Sequence, residues 1–193
     1  MPIGLYFGSF NPIHIGHLII ANHILNEIPL RKIWFVVSPQ NPFKKSGSLL
    51  NEFDRLHLVR KAVEQDIRLK AIDIEFSLPK PSYTSDTLAY LQEKYPKQEF
   101  QIIMGSDSYQ NIRNWKNAEF ILNHYKLIIY KRPGFEIVSE TNSNTSVMEA
   151  PLLDISATHI RQLVREKKSI RYLVPENIEE EIVTNRYFRT QSK

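Results

Sequence analysis

Five short apolar runs constrain this 193-residue chain more than any other feature of it: Ile3 to Phe7, Lys32 to Val37, Lys70 to Ile74, Phe100 to Met104 and Lys126 to Tyr130. A strand with one face in water alternates apolar and polar residues, whereas an unalternating run suits a parallel strand covered on both faces. Helical spacing fills the gaps between them. Leu18, Ile19, Ala21, Leu25 and Ile28 follow a 3.6-residue period, as do Phe53, Leu56, Val59 and Val63. Thr84 to Tyr95 and Ala118 to Leu122 are further helix candidates. Strand and helix in alternation predict an α/β fold, a Rossmann-like open parallel sheet with helices on both faces.

The pattern changes after residue 130. Pro133 to Met148 is polar and punctuated by Pro133 and Gly134, so it reads as a loop. Ser156 then stands as an N-cap ahead of THIRQLVREKK, and Pro175 opens PENIEEEIV with its acids early, as a helix dipole favours. No internal repeat is visible. The expectation is one domain over 1–193 with a helical C-terminal part from about 151.

Composition narrows the function. The chain has no cysteine, which excludes disulfides, thiolate metal sites and a cysteine nucleophile. No stretch approaches the length of a membrane span, and MPIGLYFGSF lacks the pattern of a signal peptide. A soluble, cytoplasmic protein is expected, with no membrane partner. The net charge of +4 is scattered along the chain, which argues against nucleic acid as the partner.

The chemistry concentrates in FGSFNPIHIGHL, residues 7 to 18. The stretch follows the first strand and leads into the first helix, where open α/β sheets bind ligands and a helix N-terminus offers free N–H groups. Gly8 permits close backbone approach, and His14 and His17 would share one side of the first helical turn. Three readings compete there. Helical zinc pairs are usually spaced four apart with a third ligand elsewhere. Two histidines packed near a turn need no ligand at all. A phosphate grip uses the glycine, the helix N-terminus and both imidazoles together.

GSFNPIHIGHL resembles the (H/T)xGH motif of the nucleotidyltransferase superfamily, and its context is similar to that of bacterial nicotinate-mononucleotide adenylyltransferases. Four later stretches resemble the same family in the same order: SPQNPFK (38–44), PSYTSDTL (81–88), MGSDSYQNIRNW (104–115) and ISATHIR (155–161). The resemblance spans nearly the whole chain. Two departures are visible: Phe7 stands where many relatives have glycine, and Ala157 replaces the usual second serine.

The resemblance implies roles for particular residues. His14, His17, Lys44 and Arg161 would stabilise the transferring phosphate, with Gly8, Ser9, Phe10, Ile155, Ser156, Thr158 and Arg132 binding nucleotide around them. Asp54 and Arg55 would orient the loop that carries Lys44. Tyr83 and Thr84, opening a helix, would receive the nicotinate carboxylate. Gly105 and Asp107 would line the nucleotide, and Trp115 would stack on the pyridine. The implied reaction joins ATP and nicotinate mononucleotide into nicotinate adenine dinucleotide and pyrophosphate, with Mg2+ travelling on the ATP and no metal held by protein ligands. Within the superfamily the alternative substrate is nicotinamide mononucleotide or another small molecule. From another class, an H-I-G-H sequence could mark a tRNA-binding synthetase-like module without catalysis, against which stand the short length and the absence of K-M-S-K-S. The sequence permits a homo-oligomer.

Overall fold

The structure is a computed structural model describing residues 1–40, 49–137, 144–149, 151 and 154–189. Six parallel strands form its sheet: β1 (Ile3–Gly8), β2 (Lys32–Val37), β3 (Leu69–Ile72), β4 (Phe100–Gly105), β5 (Lys126–Tyr130) and β6 (Thr145–Met148). Their order across the sheet is β3-β2-β1-β4-β5-β6, and every neighbouring pair runs parallel. The chain works outward from β1 in one direction and then returns to β4 to work outward in the other. The crevice between the C-terminal ends of β1 and β4 is therefore the topological switch point, where such sheets bind ligands.

The uniform apolar runs hide a period of two. Leu5, Trp34, Val36, Ile102, Met104, Leu127 and Ile129 join one core. Tyr6, Ile33, Phe35, Val37, Ile103, Ile128 and Tyr130 join the other, on the opposite face. Successive side chains point to opposite faces, so a strand buried on both sides must be apolar throughout. Burying each large side chain contributes roughly 1.5–3 kcal/mol, which is why both faces are covered by helices.

Four helices cover the Tyr6 face: α1 (Ile15–Glu27), α2 (Glu52–Val63), α6 (Ala157–Arg165) and α7 (Glu176–Thr184). The Leu5 face is covered by α3 (Thr84–Lys94), the one-turn α4 (Ser106–Tyr109) and α5 (Ala118–His124). Ser156 caps α6, its Oγ accepting the His159 N–H at 3.2 Å. Pro175 occupies the N-cap of α7, with Glu176 and Glu179 in the first turn.

Three expectations need correction. The polar Pro133–Met148 stretch contains β6, which pairs with β5 from Leu127↔Thr145 to Tyr130↔Met148. Its four residues, TSVM, are too short a run to stand out from the polar stretch around them, and as an edge strand it tolerates polar side chains. β3 runs Leu69–Ile72 instead of Lys70–Ile74, because Ile74–Ser77 coils into a 3-10 turn. α1 begins at Ile15, three residues ahead of its apolar period.

Candidate functional site

The β1–α1 turn is built by close packing. A Cβ on Gly8 would lie 2.8 Å from the Phe10 ring, so only glycine lets that ring fold back against β1. Phe10 adopts φ 44°, a left-handed backbone, and its ring is buried edge-on against Tyr6, Phe35 and His17. The Phe10 side chain is thus core, and what it can offer a nucleotide is its backbone.

His14 is the N-cap of α1 with extended backbone (φ −147°, ψ 169°), and His17 is the third helical residue. Their rings lie face to face, 3.7 Å between centroids and tilted by 32°. The His14 N–H donates to His17 Nδ1 at 3.3 Å, which places the proton of a neutral His17 ring on Nε2. A Cβ on Gly16 would sit 3.1 Å from His14 Nδ1, so the second glycine makes room for the ring. Burial, aided by the Arg132 charge, lowers the His14 pKa to about 4. His14 is accordingly a neutral hydrogen-bonding group at neutral pH.

Two cations approach the histidines from different elements. Arg161 reaches from α6 to donate to the Asn11 carbonyl at 2.7 Å and to Thr158 Oγ1 at 3.2 Å. Arg132, just past β5, donates its N–H to Ser106 Oγ at 2.9 Å and pairs with Asp107 at 3.1 Å. Gly105 keeps that pair compact, since a Cβ there would collide with the Asp107 carboxylate. His14 Nδ1 and Arg161 Nε are buried without a hydrogen-bond partner among the described residues. Orphaned buried polar atoms are rare in folded proteins. Two of them around one turn, beside guanidinium groups and a helix N-terminus, suit an anion carrying several oxygens.

Beside the turn lies a cleft of about 790 Å³, open space at its mouth included, at the β1/β4 switch point. Tyr6, Gly8, Gly105, Tyr83, Thr84 and Trp115 are among the residues that line it. Phe7, the departure from glycine, lines it too. Tyr83 is the N-cap of α3 and Thr84 its first residue, so the first N–H groups of that helix open onto the cleft. Lys116 Nζ sits 4.9 Å from the centroid of the Tyr83 ring and bonds Asp86 at 2.9 Å, closing the rim.

The Ser9 carbonyl accepts from Arg55, Gly105 packs against Asp107 and Arg132, Ser156 and Thr158 stand at the head of α6 with Thr158 bonded to Arg161, and Ile155 lies 3.9 Å from where a Gly16 Cβ would be. Ala157 is the first residue of α6, where its backbone N–H is retained. Lys44 lies outside the described residues. Asp54 accepts the Tyr187 hydroxyl at 3.1 Å, from a position on α2 that faces the C-terminal segment. Arg55 reaches the described residues on both sides of that loop. Buried to 1 % exposure, its guanidinium donates to the carbonyls of Ser9, Ser38, Pro39 and Leu50, at 2.7 to 2.9 Å. It clamps both flanks of the Lys44 segment and ties them to the β1–α1 turn.

Sequence reasoning missed two features of the cleft. Tyr6 and Tyr130 share a buried hydroxyl–hydroxyl bond at 3.2 Å, with burial pushing the Tyr6 pKa well up. Glu75, from the 3-10 turn, lines the floor. Neither lies in a recognisable motif; the tyrosines meet across β4 on one face of the sheet, and Glu75 comes from the turn after β3. Among the described residues no group of three His, Cys, Asp or Glu could hold a metal ion, and no helix is long and apolar enough to cross a membrane.

Residues 5–163 match the family model described as cytidylyltransferase-like. A relative from Cytophaga hutchinsonii, named a probable nicotinate-nucleotide adenylyltransferase, is 53% identical over 97% of this chain and 98% of its own. One of the same name from Flavobacterium psychrophilum is 46% identical, over 92% and 94% respectively. Among solved structures, the nicotinic acid mononucleotide adenylyltransferase of Plasmodium falciparum complexed with NaAD superposes with a TM-score of 0.81, covering 97% of both chains at 21% identity. At that identity the superposition speaks for the fold.

Proposed function

The chain belongs to the nicotinate-nucleotide adenylyltransferase family, and on that premise we propose that it joins ATP to nicotinate mononucleotide, giving nicotinate adenine dinucleotide and pyrophosphate. A phosphate oxygen of the mononucleotide forms the new bond to the α-phosphorus as the bond to the pyrophosphate oxygen breaks in line. The attacking oxygen is already anionic, so the protein need supply no general base. Its work is to position two nucleotides and to neutralise charge as it shifts toward the leaving group.

The observation that carries this reading is the stacked His14–His17 pair at the head of α1, with Arg161 bound to the same turn and Arg132 near enough for its charge to act on His14. A neutral imidazole donates hydrogen bonds to a phosphoryl oxygen, and a guanidinium adds fixed positive charge; Lys44 is assigned the same role. Trp115 and the α3 N-terminus, both lining the cleft, suit a flat ring with an anionic substituent. The acid mononucleotide is therefore the preferred substrate, in a soluble cytoplasmic protein.

Magnesium is assigned to the ATP complex, as part of the substrate. The donors around the turn are imidazoles and guanidiniums, a set that does not fit an oxygen-seeking cation, and no step here runs through the metal.

Pyrophosphate release on mixing the protein with ATP, magnesium and either mononucleotide tests the reaction. We expect release with nicotinate mononucleotide, and a loss of turnover by roughly 100-fold or more in His17→Asn with the fold intact by circular dichroism. Tight tRNA binding without pyrophosphate release overturns the reading, and near-normal turnover in His17→Asn overturns the role of that residue.

A further inference from the structure

Two hydroxyls sit where the surrounding core calls only for rings. Tyr6 on β1 and Tyr130 on β5 are 3 % and 4 % exposed, on the sheet face they share with Phe10 and Phe35. A phenylalanine at residue 6 would make the same ring contacts, 5.8 Å to Phe10 and 5.4 Å to Phe35 between centroids. The hydroxyls need a reason of their own, because a buried polar group costs stability unless it is bonded. Part of the reason is mutual: the Tyr6 hydroxyl donates across β4 to the Tyr130 oxygen at 3.2 Å. That bond uses one proton of the two. The Tyr130 O–H has no acceptor among the described residues.

The surroundings say where the spare proton goes. Both tyrosines line the cleft, together with Tyr83, Thr84 and Trp115. The Tyr6 ring also lies 6.0 Å from the His17 ring, edge-on, so the pair links the cleft to the histidine turn. The Arg132 guanidinium sits over the Tyr130 ring, 5.6 Å from its centroid, and its charge acts on both Tyr6 and His14. A cation on that side draws the lone pairs of the Tyr130 oxygen and turns its proton away, toward the cleft. Donation from Tyr6 polarises that O–H and strengthens it as a donor. Burial pushes the Tyr6 pKa well up, so the first hydroxyl of the chain keeps its proton throughout the neutral range.

Resting on the adenylyl-transfer reading above, we propose that Tyr130 is a further substrate-binding residue, its hydroxyl donating to a phosphate oxygen of the mononucleotide while Tyr6 holds it in place. A mononucleotide with its ring against Trp115 and its phosphate at His17 brings that phosphate past the hydroxyl. A neutral donor to a charged acceptor makes a strong bond, yet it adds no full positive charge to blunt the attacking oxygen. The phenol therefore orients the nucleophile, and the guanidiniums carry the charge.

Steady-state kinetics of Tyr130→Phe, which keeps the ring and loses the donor, test this. KM for nicotinate mononucleotide should rise roughly tenfold or more, while KM for ATP stays within about twofold. Tyr6→Phe leaves the Tyr130 O–H in place and should raise the same KM by only about threefold. Nicotinate riboside, which lacks the phosphate, should inhibit the wild type and Tyr130→Phe to the same extent. An unchanged KM in Tyr130→Phe, with or without a lower unfolding midpoint, overturns the proposal, as does a larger effect in Tyr6→Phe. A rise confined to ATP, or weaker inhibition of the variant by the riboside, overturns the assignment to the mononucleotide phosphate. Absence of pyrophosphate release by the wild type is a separate result, which removes the functional reading itself and this inference with it.

Discussion

His14 shows how burial decides the chemistry of a single residue. Its folded pKa, about 4, lies below the ordinary 6.5. Above pH 6.5 the ring is neutral in both folded and unfolded chains and adds no pH dependence. As pH falls from 6.5 toward 4 the unfolded chain takes up a proton that the folded one refuses, and stability drops by roughly 3 kcal/mol over that window. Urea unfolding of the wild type at pH 7.5 and pH 5 should show about 2 kcal/mol of that loss, and His14→Asn should lack this component of it. The sequence placed His14 and His17 together, and the structure brings their rings into contact. What spacing could not reveal is that His14 precedes the helix as its cap, because capping depends on backbone angles that periodicity does not encode. Glu75 was illegible for another reason: a lone acid after a strand acquires a partner only when α3 brings the Thr87 hydroxyl against it.

Among the elements, the strands were the most legible, since burial on both faces leaves an unbroken apolar run. β6 was the least legible. Its exposed Ser146 and Val147 pair only through backbone to β5, and backbone pairing leaves no trace in composition. Helix α2 carries its meaning in one position, Arg55. PSYTSDTL and ISATHIR could be placed at helix starts because capping is local in sequence, whereas the four carbonyls that Arg55 satisfies belong to three separate segments. Arg55→Met should fill similar volume and leave those carbonyls unpaired. We expect a loss of about 3 kcal/mol or more in urea unfolding, together with higher KM for both substrates as the Lys44 segment loses its anchors. An unchanged unfolding midpoint would show that the clamp contributes nothing.

At the scale of the whole molecule, the end of the site proposed to hold phosphate draws on residues far apart in the sequence. Arg161 and the Asn11 carbonyl to which it donates are 150 positions apart. Arg161→Gln removes the charge and shortens that reach. The expected outcome is a rise of roughly tenfold in KM for ATP, with faster amide exchange confined to the β1–α1 turn. Exchange that quickens throughout the sheet would instead indicate a general loss of stability.

The 3-2-1-4-5-6 strand order has a further consequence, for the chain during its own synthesis. β1 leaves the ribosome first yet occupies the middle of the sheet, so one of its edges stays open until β4 has been made, almost 100 residues later. The turn that follows β1 waits longer still, for the helix that carries Arg161. On the role proposed for Arg161, a ribosome-bound chain would complete this turn only after residues 157–165 have emerged, about 150 residues after the turn itself.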